Sequence, residues 1–133
     1  MRYIELFNKY LPLAKKNNLE EEAIKLIASE LANLSQTELY LRYNDIIPKR
    51  LEEKLVSAIE KYLTGYPAQY ILGYTYFYGL KIKVNEDVLI PRFDTEVVVE
   101  NVLNVAKYYH DPKVLDICTG SGAISVALSK NGI

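Results

Sequence analysis

The sequence is short of several features, and each shortage excludes a class of structure. It has one cysteine and one histidine among 133 residues. A single cysteine cannot form an internal disulfide. The chain also has no signal-peptide pattern and no apolar run of the length that spans a membrane. We therefore expect a cytoplasmic protein that does not enter the membrane.

The sequence also lacks an excess of charge of either sign. The net charge is −1, with ten basic and ten acidic residues before Pro67 and six basic against seven acidic residues after it. Nucleic-acid binders concentrate Lys and Arg in one segment or on one face. Neither half therefore predicts direct binding to DNA or RNA. Half of the residues are hydrophobic and a quarter are charged, which is typical of a globular chain.

The first 64 residues predict a bundle of four short amphipathic helices. Apolar residues recur at helical spacing along the first two helices: Ile4, Leu6, Phe7, Tyr10 and Leu11, then Leu19, Ala23, Ile24, Ile27, Ala28 and Leu31. Asn17-Asn18 separates the two helices, and Ser35 with Glu38 has the form of a capping box for the third. Pro48 is a good first residue for the fourth helix, and Gly65 can end it. Its predicted inward face is Leu51, Leu55, Ile59, Tyr62 and Leu63.

Residues 66–90 predict a β-hairpin that links two parts of the chain. Tyrosines alternate with other residues before Gly79, and Leu80, Ile82 and Val84 alternate after it. Asp94 or Thr95 can then cap a further helix that ends near Tyr109. The predicted inward face of that helix is Val97, Val98, Val102, Leu103 and Val105.

A strand, a tight turn and a helix are predicted over residues 114–124. Val114–Ile117 has the apolar character of a short buried strand, and Gly120 and Gly122 let the backbone turn sharply and approach a ligand closely. The amides at the start of the following helix favour an anionic group. Position 125 is Ser, so the three-glycine pattern of dinucleotide sites is incomplete. We refer to residues 118–122 as the glycine loop.

The glycine loop resembles the first motif of class I S-adenosyl-L-methionine-dependent methyltransferases. Four segments in order resemble, more specifically, the protein-(glutamine-N5) methyltransferases that modify peptide chain release factors: Tyr66–Gly73, Phe77–Gly79, Leu89–Glu96 and Asp116–Ile124. Two positions depart from that pattern, because Phe93 stands where a second proline is common and Cys118 stands where glycine is common.

The resemblance implies a site and a partner. The cofactor S-adenosyl-L-methionine would lie against Cys118, Thr119, Gly120, Ser121 and Gly122, with Asp116 beside its methionine part. Arg92, Asp94 and Glu96 would lie near the mouth of the site. The helical half would hold a release factor so that the glutamine of its Gly-Gly-Gln motif enters the catalytic domain. No catalytic residue and no metal ligand is predicted within these residues.

Two expected parts of the family pattern are missing from the sequence. It has no Asn-Pro-Pro-Tyr motif to orient the substrate amide, and no later acidic residue to hold the cofactor ribose. A single parallel strand would also have no partner. We therefore expect a truncated and inactive protein with three segments: a helical docking domain (1–65), a hairpin linker (66–90) and the incomplete start of an α/β, Rossmann-like methyltransferase domain (91–133).

Two other functions are compatible with the sequence. One is a fragment of a nucleic-acid adenine N6-methyltransferase, which uses a similar motif, although the near-neutral charge is unfavourable for it. The other is a stand-alone helical protein-binding module. Cys118 is interpreted as a small buried residue in a tight turn rather than a nucleophile, because no histidine lies near it in the sequence. His110 is interpreted as a surface residue at a helix end.

Overall fold

A computed structural model describes every residue from Met1 to Ile133, and the chain divides after Leu72 into two units. The first unit contains one isolated β-bridge, between Arg2 and Ile46, and its helices are α1 (Tyr3–Lys16), α2 (Glu21–Ala32), α3 (Gln36–Leu41), α4 (Lys49–Leu63) and α5 (Ala68–Leu72). The second unit contains strands β1 (Tyr74–Phe77) and β2 (Leu80–Lys83), a short 3₁₀ turn (Phe93–Thr95), and helices α6 (Glu96–Ala106) and α7 (Ala123–Lys130). The predicted fold class is confirmed: a helical bundle is followed by a hairpin and by the start of a methyltransferase-type domain.

The boundaries of the first helices follow local signals in the sequence. Asn18 takes a left-handed backbone (φ 56°) between α1 and α2, as the predicted break requires. The capping box at the start of α3 is confirmed, because the Glu38 amide donates to Ser35 Oγ (3.1 Å) and the Ser35 amide donates to Glu38 Oε2 (2.8 Å). Pro48 is the cap residue of α4, where its missing amide costs nothing.

The core of the first unit is built from the inward faces of its helices. Its buried side chains are Tyr3, Leu6, Phe7, Tyr10, Ala14, Ile24, Ile27, Ala28, Leu39, Ile47, Leu55, Ala58, Ile59, Tyr62 and Ala68. The predicted stripes are confirmed with one exception, because Ile4 is exposed. Burial raises the pKa of the Tyr62 phenol above its ordinary value, so the hydroxyl stays protonated and donates to the Glu20 carbonyl (2.9 Å).

Residues 68–72 form a helix rather than the first part of a hairpin, so this part of the strand prediction is wrong. The amides of Tyr70 and Ile71 donate to the Pro67 carbonyl, at 3.1 and 3.2 Å. Proline is compatible with the first turn of a helix. The helical turn also places Ala68 and Ile71 against the core of the first unit.

The hairpin itself forms where the tyrosine alternation predicts it. β1 and β2 are antiparallel, and the register pairs Tyr74 with Lys83 and Phe77 with Leu80. The two turn residues, Tyr78 and Gly79, both have left-handed backbones, with φ of 52° and 73°. Two consecutive positive φ angles are the pattern of the type I′ turn, whose twist matches that of the flanking strands.

The predicted inward face of α6 is partly wrong. Val97, Val98 and Val105 are exposed. The residues that do pack inward are Val99, which is fully buried, with Val102 and Leu103, which are partly buried. Because several valines are consecutive, the sequence is compatible with two different apolar faces of α6. Only the face that contains Val99 packs into the core. The other buried residues of this core are Phe77, Ile82, Ala123, Ala127 and Leu128.

The predicted strand at Val114–Ile117 is absent. This segment has no regular secondary structure, and Leu115 is 84% exposed. The physical reason is the lack of a partner, because the only sheet in the chain is formed by β1 and β2, which pair with each other. An extended segment becomes a strand only when its amides and carbonyls meet those of a neighbour.

Candidate functional site

The glycine loop bends back on itself before helix α7. Cys118, Gly120 and Gly122 all have left-handed backbones, with φ of 59°, 59° and 79°. Gly122 is the cap residue of α7, and its amide donates to the Thr119 carbonyl (3.0 Å). A methyl group built on Gly120 or Gly122 would meet no atom within 4 Å. Glycine is therefore favoured here for its backbone conformation, and the loop presents an open backbone surface.

The prediction that Cys118 is buried is wrong. It lies in the tight turn as expected, but its side chain is exposed rather than buried. Its left-handed backbone explains why glycine suits this position, since a residue with a Cβ is strained there.

His110 is exposed just beyond α6, as predicted. No group of three or more His, Cys, Asp or Glu residues is placed to hold a metal ion.

Asp116 is joined to the loop and to α7 by its carboxylate. Thr119 Oγ1 and Ser125 Oγ both donate to Asp116 Oδ2, each at 2.8 Å. The sequence identified Asp116 and Thr119 as site residues but treated Ser125 only as a missing glycine. Ser125 lies in the first turn of α7, close to the segment that precedes the helix. That position is the sequence signal from which a contact with Asp116 could have been predicted.

An open depression lies beside the loop within the second unit. Its volume is about 390 Å³, and the residues that line it are Gly73, Lys83, Val84, Asn85, Val88, Gly120 and Ser121. Gly120 and Ser121 are thus the only predicted cofactor-binding residues that face it. Its other lining residues are Gly73 before β1, Lys83 at the end of β2, and three residues of the chain that follows β2.

Arg92, Asp94 and Glu96 make contacts with their neighbours rather than with the loop. Arg92 Nη2 lies 3.3 Å from Asp94 Oδ2, and both side chains are exposed. Glu96 Oε1 accepts a hydrogen bond from the Tyr78 amide (2.6 Å) and so ties the start of α6 to the turn of the hairpin. No hydrogen bond or ion pair joins these three residues to Asp116 or to the glycine loop. Their location near the mouth of a site stays a prediction.

We expect Glu96→Ala to lower the free energy of unfolding of the second unit by about 1–3 kcal/mol, because the turn amide loses a charged acceptor while it is partly buried. Glu100→Ala, one helical turn further on α6, is the matched control, since Glu100 is exposed. Hydrogen exchange of the Tyr78 amide measures the effect directly. Equal exchange rates in the two variants would contradict a structural role for Glu96.

The chemistry around Asp116 fits a small ligand that carries an amino group. The carboxylate accepts both internal hydrogen bonds on Oδ2, which leaves Oδ1 available to a donor from outside. The glycines beside it allow close contact with the main chain. The geometry thus offers one carboxylate held in a defined orientation just before the glycine loop. No helix of the structure combines the length and the apolar character needed to cross a bilayer.

Comparisons with known proteins agree with the motifs. A family model described as the PrmC N-terminal domain matches residues 6–73. The chain is similar to the release factor glutamine methyltransferase of Bacillus cereus, with 35% identity over 97% of this chain and 47% of the relative. It is similar to that of Streptococcus pneumoniae, with 38% identity over 98% of this chain and 47% of the relative.

A third relative gives the same picture. The release factor glutamine methyltransferase of Enterococcus faecalis is 38% identical over 96% of this chain and 46% of the relative. The chain spans about half the length of the curated relatives that it matches. The matched family model covers about half of the chain, and the resemblance continues through the glycine loop. The chain therefore belongs to the release factor glutamine methyltransferase family and is consistent with its N-terminal portion.

Proposed function

We propose that the chain is the N-terminal part of an S-adenosyl-L-methionine-dependent enzyme that methylates N5 of the glutamine in the Gly-Gly-Gln motif of peptide chain release factors. The observation that carries this proposal is the similarity, at 35–38% identity over nearly the whole chain, to proteins named release factor glutamine methyltransferase. The enzyme would be located in the cytoplasm, where release factors act in translation termination. The near-neutral charge of both halves favours a protein substrate over a nucleic acid.

In this proposal the glycine loop and Asp116 bind the cofactor, whose chemical contribution is an activated methyl group. The open faces of Gly120 and Gly122 allow the main chain to approach a ligand without a side chain in the way. The free oxygen of Asp116 accepts from the amino group of the methionine part. The residues of the site therefore bind and orient, and none of them is assigned a proton-transfer role.

We assign the helical unit the role of docking the release factor. Several of its acidic side chains serve the fold and are not gathered into a catalytic group. Glu52 pairs with the N-terminal ammonium (2.9 Å), Glu38 completes the capping box, and Glu22 pairs with Lys25 (3.1 Å). The match to the PrmC N-terminal domain model ends at residue 73, before the glycine loop, and this supports a role for the helical unit that is separate from cofactor binding.

The 133 residues alone are proposed to be inactive. A glutamine amide is a poor nucleophile because its nitrogen lone pair is delocalised into the carbonyl. Carbonyl acceptors must therefore orient it toward the methyl group. The Asn-Pro-Pro-Tyr motif to which we assign this task is not in the sequence.

Methyl transfer to a purified release factor tests both parts of the proposal. We expect no label from methyl-tritiated S-adenosyl-L-methionine when the 133-residue chain is the only enzyme. We expect label on the Gly-Gly-Gln glutamine when the chain replaces the matching half of the Bacillus cereus relative. A release factor with Gln→Ala in that motif is the control. Label on DNA instead would overturn the proposal in favour of an adenine methyltransferase.

A further inference from the structure

Two hydroxyl groups converge on one oxygen of Asp116. Thr119 Oγ1, from the glycine loop, and Ser125 Oγ, from the first turn of α7, both lie 2.8 Å from Oδ2. Asp116 precedes the loop and Ser125 follows it. The carboxylate therefore ties both ends of the loop together.

This arrangement restricts the rotation of the carboxylate. The terminal torsion of an aspartate side chain is broad, so an unsupported carboxylate samples many orientations. Hydrogen bonds to a charged acceptor are stronger than those between neutral groups. Two donors arriving at Oδ2 from different directions select one orientation, and they leave Oδ1 without a hydrogen-bond donor from the chain.

We propose that Ser125 and Thr119 are positioning residues that orient Asp116 so that Oδ1 receives the amino group of the cofactor's methionine part. This inference rests on the proposed cofactor and goes beyond it, because it assigns a role to the position where a dinucleotide motif has its third glycine. Neither hydroxyl is assigned a contact with the reacting atoms. Ser125 acts through Asp116, and its effect should be confined to ligands that carry the amino group.

The test compares two ligands that differ only in the amino-acid part. S-adenosylhomocysteine carries the amino and carboxylate groups, whereas 5′-methylthioadenosine is a thioether nucleoside without them. Dissociation constants come from titrations of the ¹⁵N-labelled hybrid enzyme, in which the chain replaces the matching half of the Bacillus cereus relative, followed at the amides of the glycine loop. For Ser125→Ala we expect the dissociation constant of S-adenosylhomocysteine to rise by roughly three- to tenfold, and that of 5′-methylthioadenosine to stay unchanged.

Two further variants make the test specific. Ser125→Thr keeps the hydroxyl and should restore binding of S-adenosylhomocysteine. Ser129→Ala makes the same chemical change one turn further along the exposed side of α7 and should leave both dissociation constants unchanged. Restored binding in the threonine variant supports a role for the hydroxyl itself rather than for the shape of the side chain.

The outcomes separate the inference from the proposed function. If the unsubstituted hybrid binds S-adenosylhomocysteine and Ser125→Ala binds it equally well, the positioning role is overturned and the cofactor proposal stands. An equal loss for both ligands also overturns positioning, because it indicates a general change in the loop. If the unsubstituted hybrid binds neither ligand, both the cofactor proposal and the positioning role are overturned.

Discussion

Phe77→Ala is expected to destabilise the second unit by about 3–5 kcal/mol, which is the usual cost of removing a buried phenylalanine ring. Phe77 is 1% exposed on β1 and is among the largest fully buried side chains of the protein. The core that it belongs to contains six buried residues. A loss of this size is comparable with the whole stability of a small domain. We therefore expect the amides of α6 and α7 to lose most of their protection from hydrogen exchange.

Phe93→Ala is the matched control for this experiment. It removes the same ring from a residue of the same unit, but Phe93 is 84% exposed. Its expected effect is within about 0.5 kcal/mol, as for other surface substitutions. If the amide hydrogens of α7 exchanged with solvent at the same rate in the two variants, the assignment of Phe77 to the core would be wrong.

The stability of this core matters for the glycine loop. Ala123, Ala127 and Leu128, all on α7, are buried in the same cluster as Phe77. Gly122 caps α7, and Ser125 in its first turn holds Asp116. Loosening the core therefore releases one end of the loop. We infer that the geometry of the glycine loop depends on packing that lies outside the loop.

Leu55→Ala is the second large effect, and it concerns the helical unit. Leu55 is fully buried on α4, so its loss removes apolar contacts and leaves a cavity, at an expected cost of about 2–5 kcal/mol. The measurement is the free energy of opening of the α2 and α4 amides by native-state hydrogen exchange. We expect protection to fall along both helices, because both contribute buried residues to the same core.

Leu41→Ala provides the comparison at an exposed position. Leu41 ends α3 and is 76% exposed, so the same substitution should change the opening free energy by no more than about 0.5 kcal/mol. A cost for Leu41→Ala as large as that for Leu55→Ala would contradict the core as the structure has it.

Much of the fold could be predicted because its signals are local. The capping box at Ser35, the proline before α4 and the asparagine break after α1 act through neighbouring backbone groups. The hairpin turn could be located near Gly79 from the alternation on either side of it. Such features need no knowledge of distant residues, and each was confirmed.

Features that depend on partners far along the chain could not be predicted. The sequence of α6 allows two apolar stripes, and only the packing around Val99 decides between them. Val114–Ile117 has the composition of a strand, but strand formation needs a neighbour that this chain does not provide. The short helix α5 replaced a predicted strand because Ala68 and Ile71 could pack on the helical core.

The candidate site divides in the same way. The sequence by itself determined the glycine loop and the acidic residue before it, because left-handed backbones favour glycine whatever surrounds them. Only the tertiary structure decided that Ser125 and Thr119 share one oxygen of Asp116, and that Glu96 binds the hairpin turn. Hydrogen bonds between two side chains, or between a side chain and a distant amide, depend on the tertiary contacts of the chain. No local sequence pattern encodes those contacts.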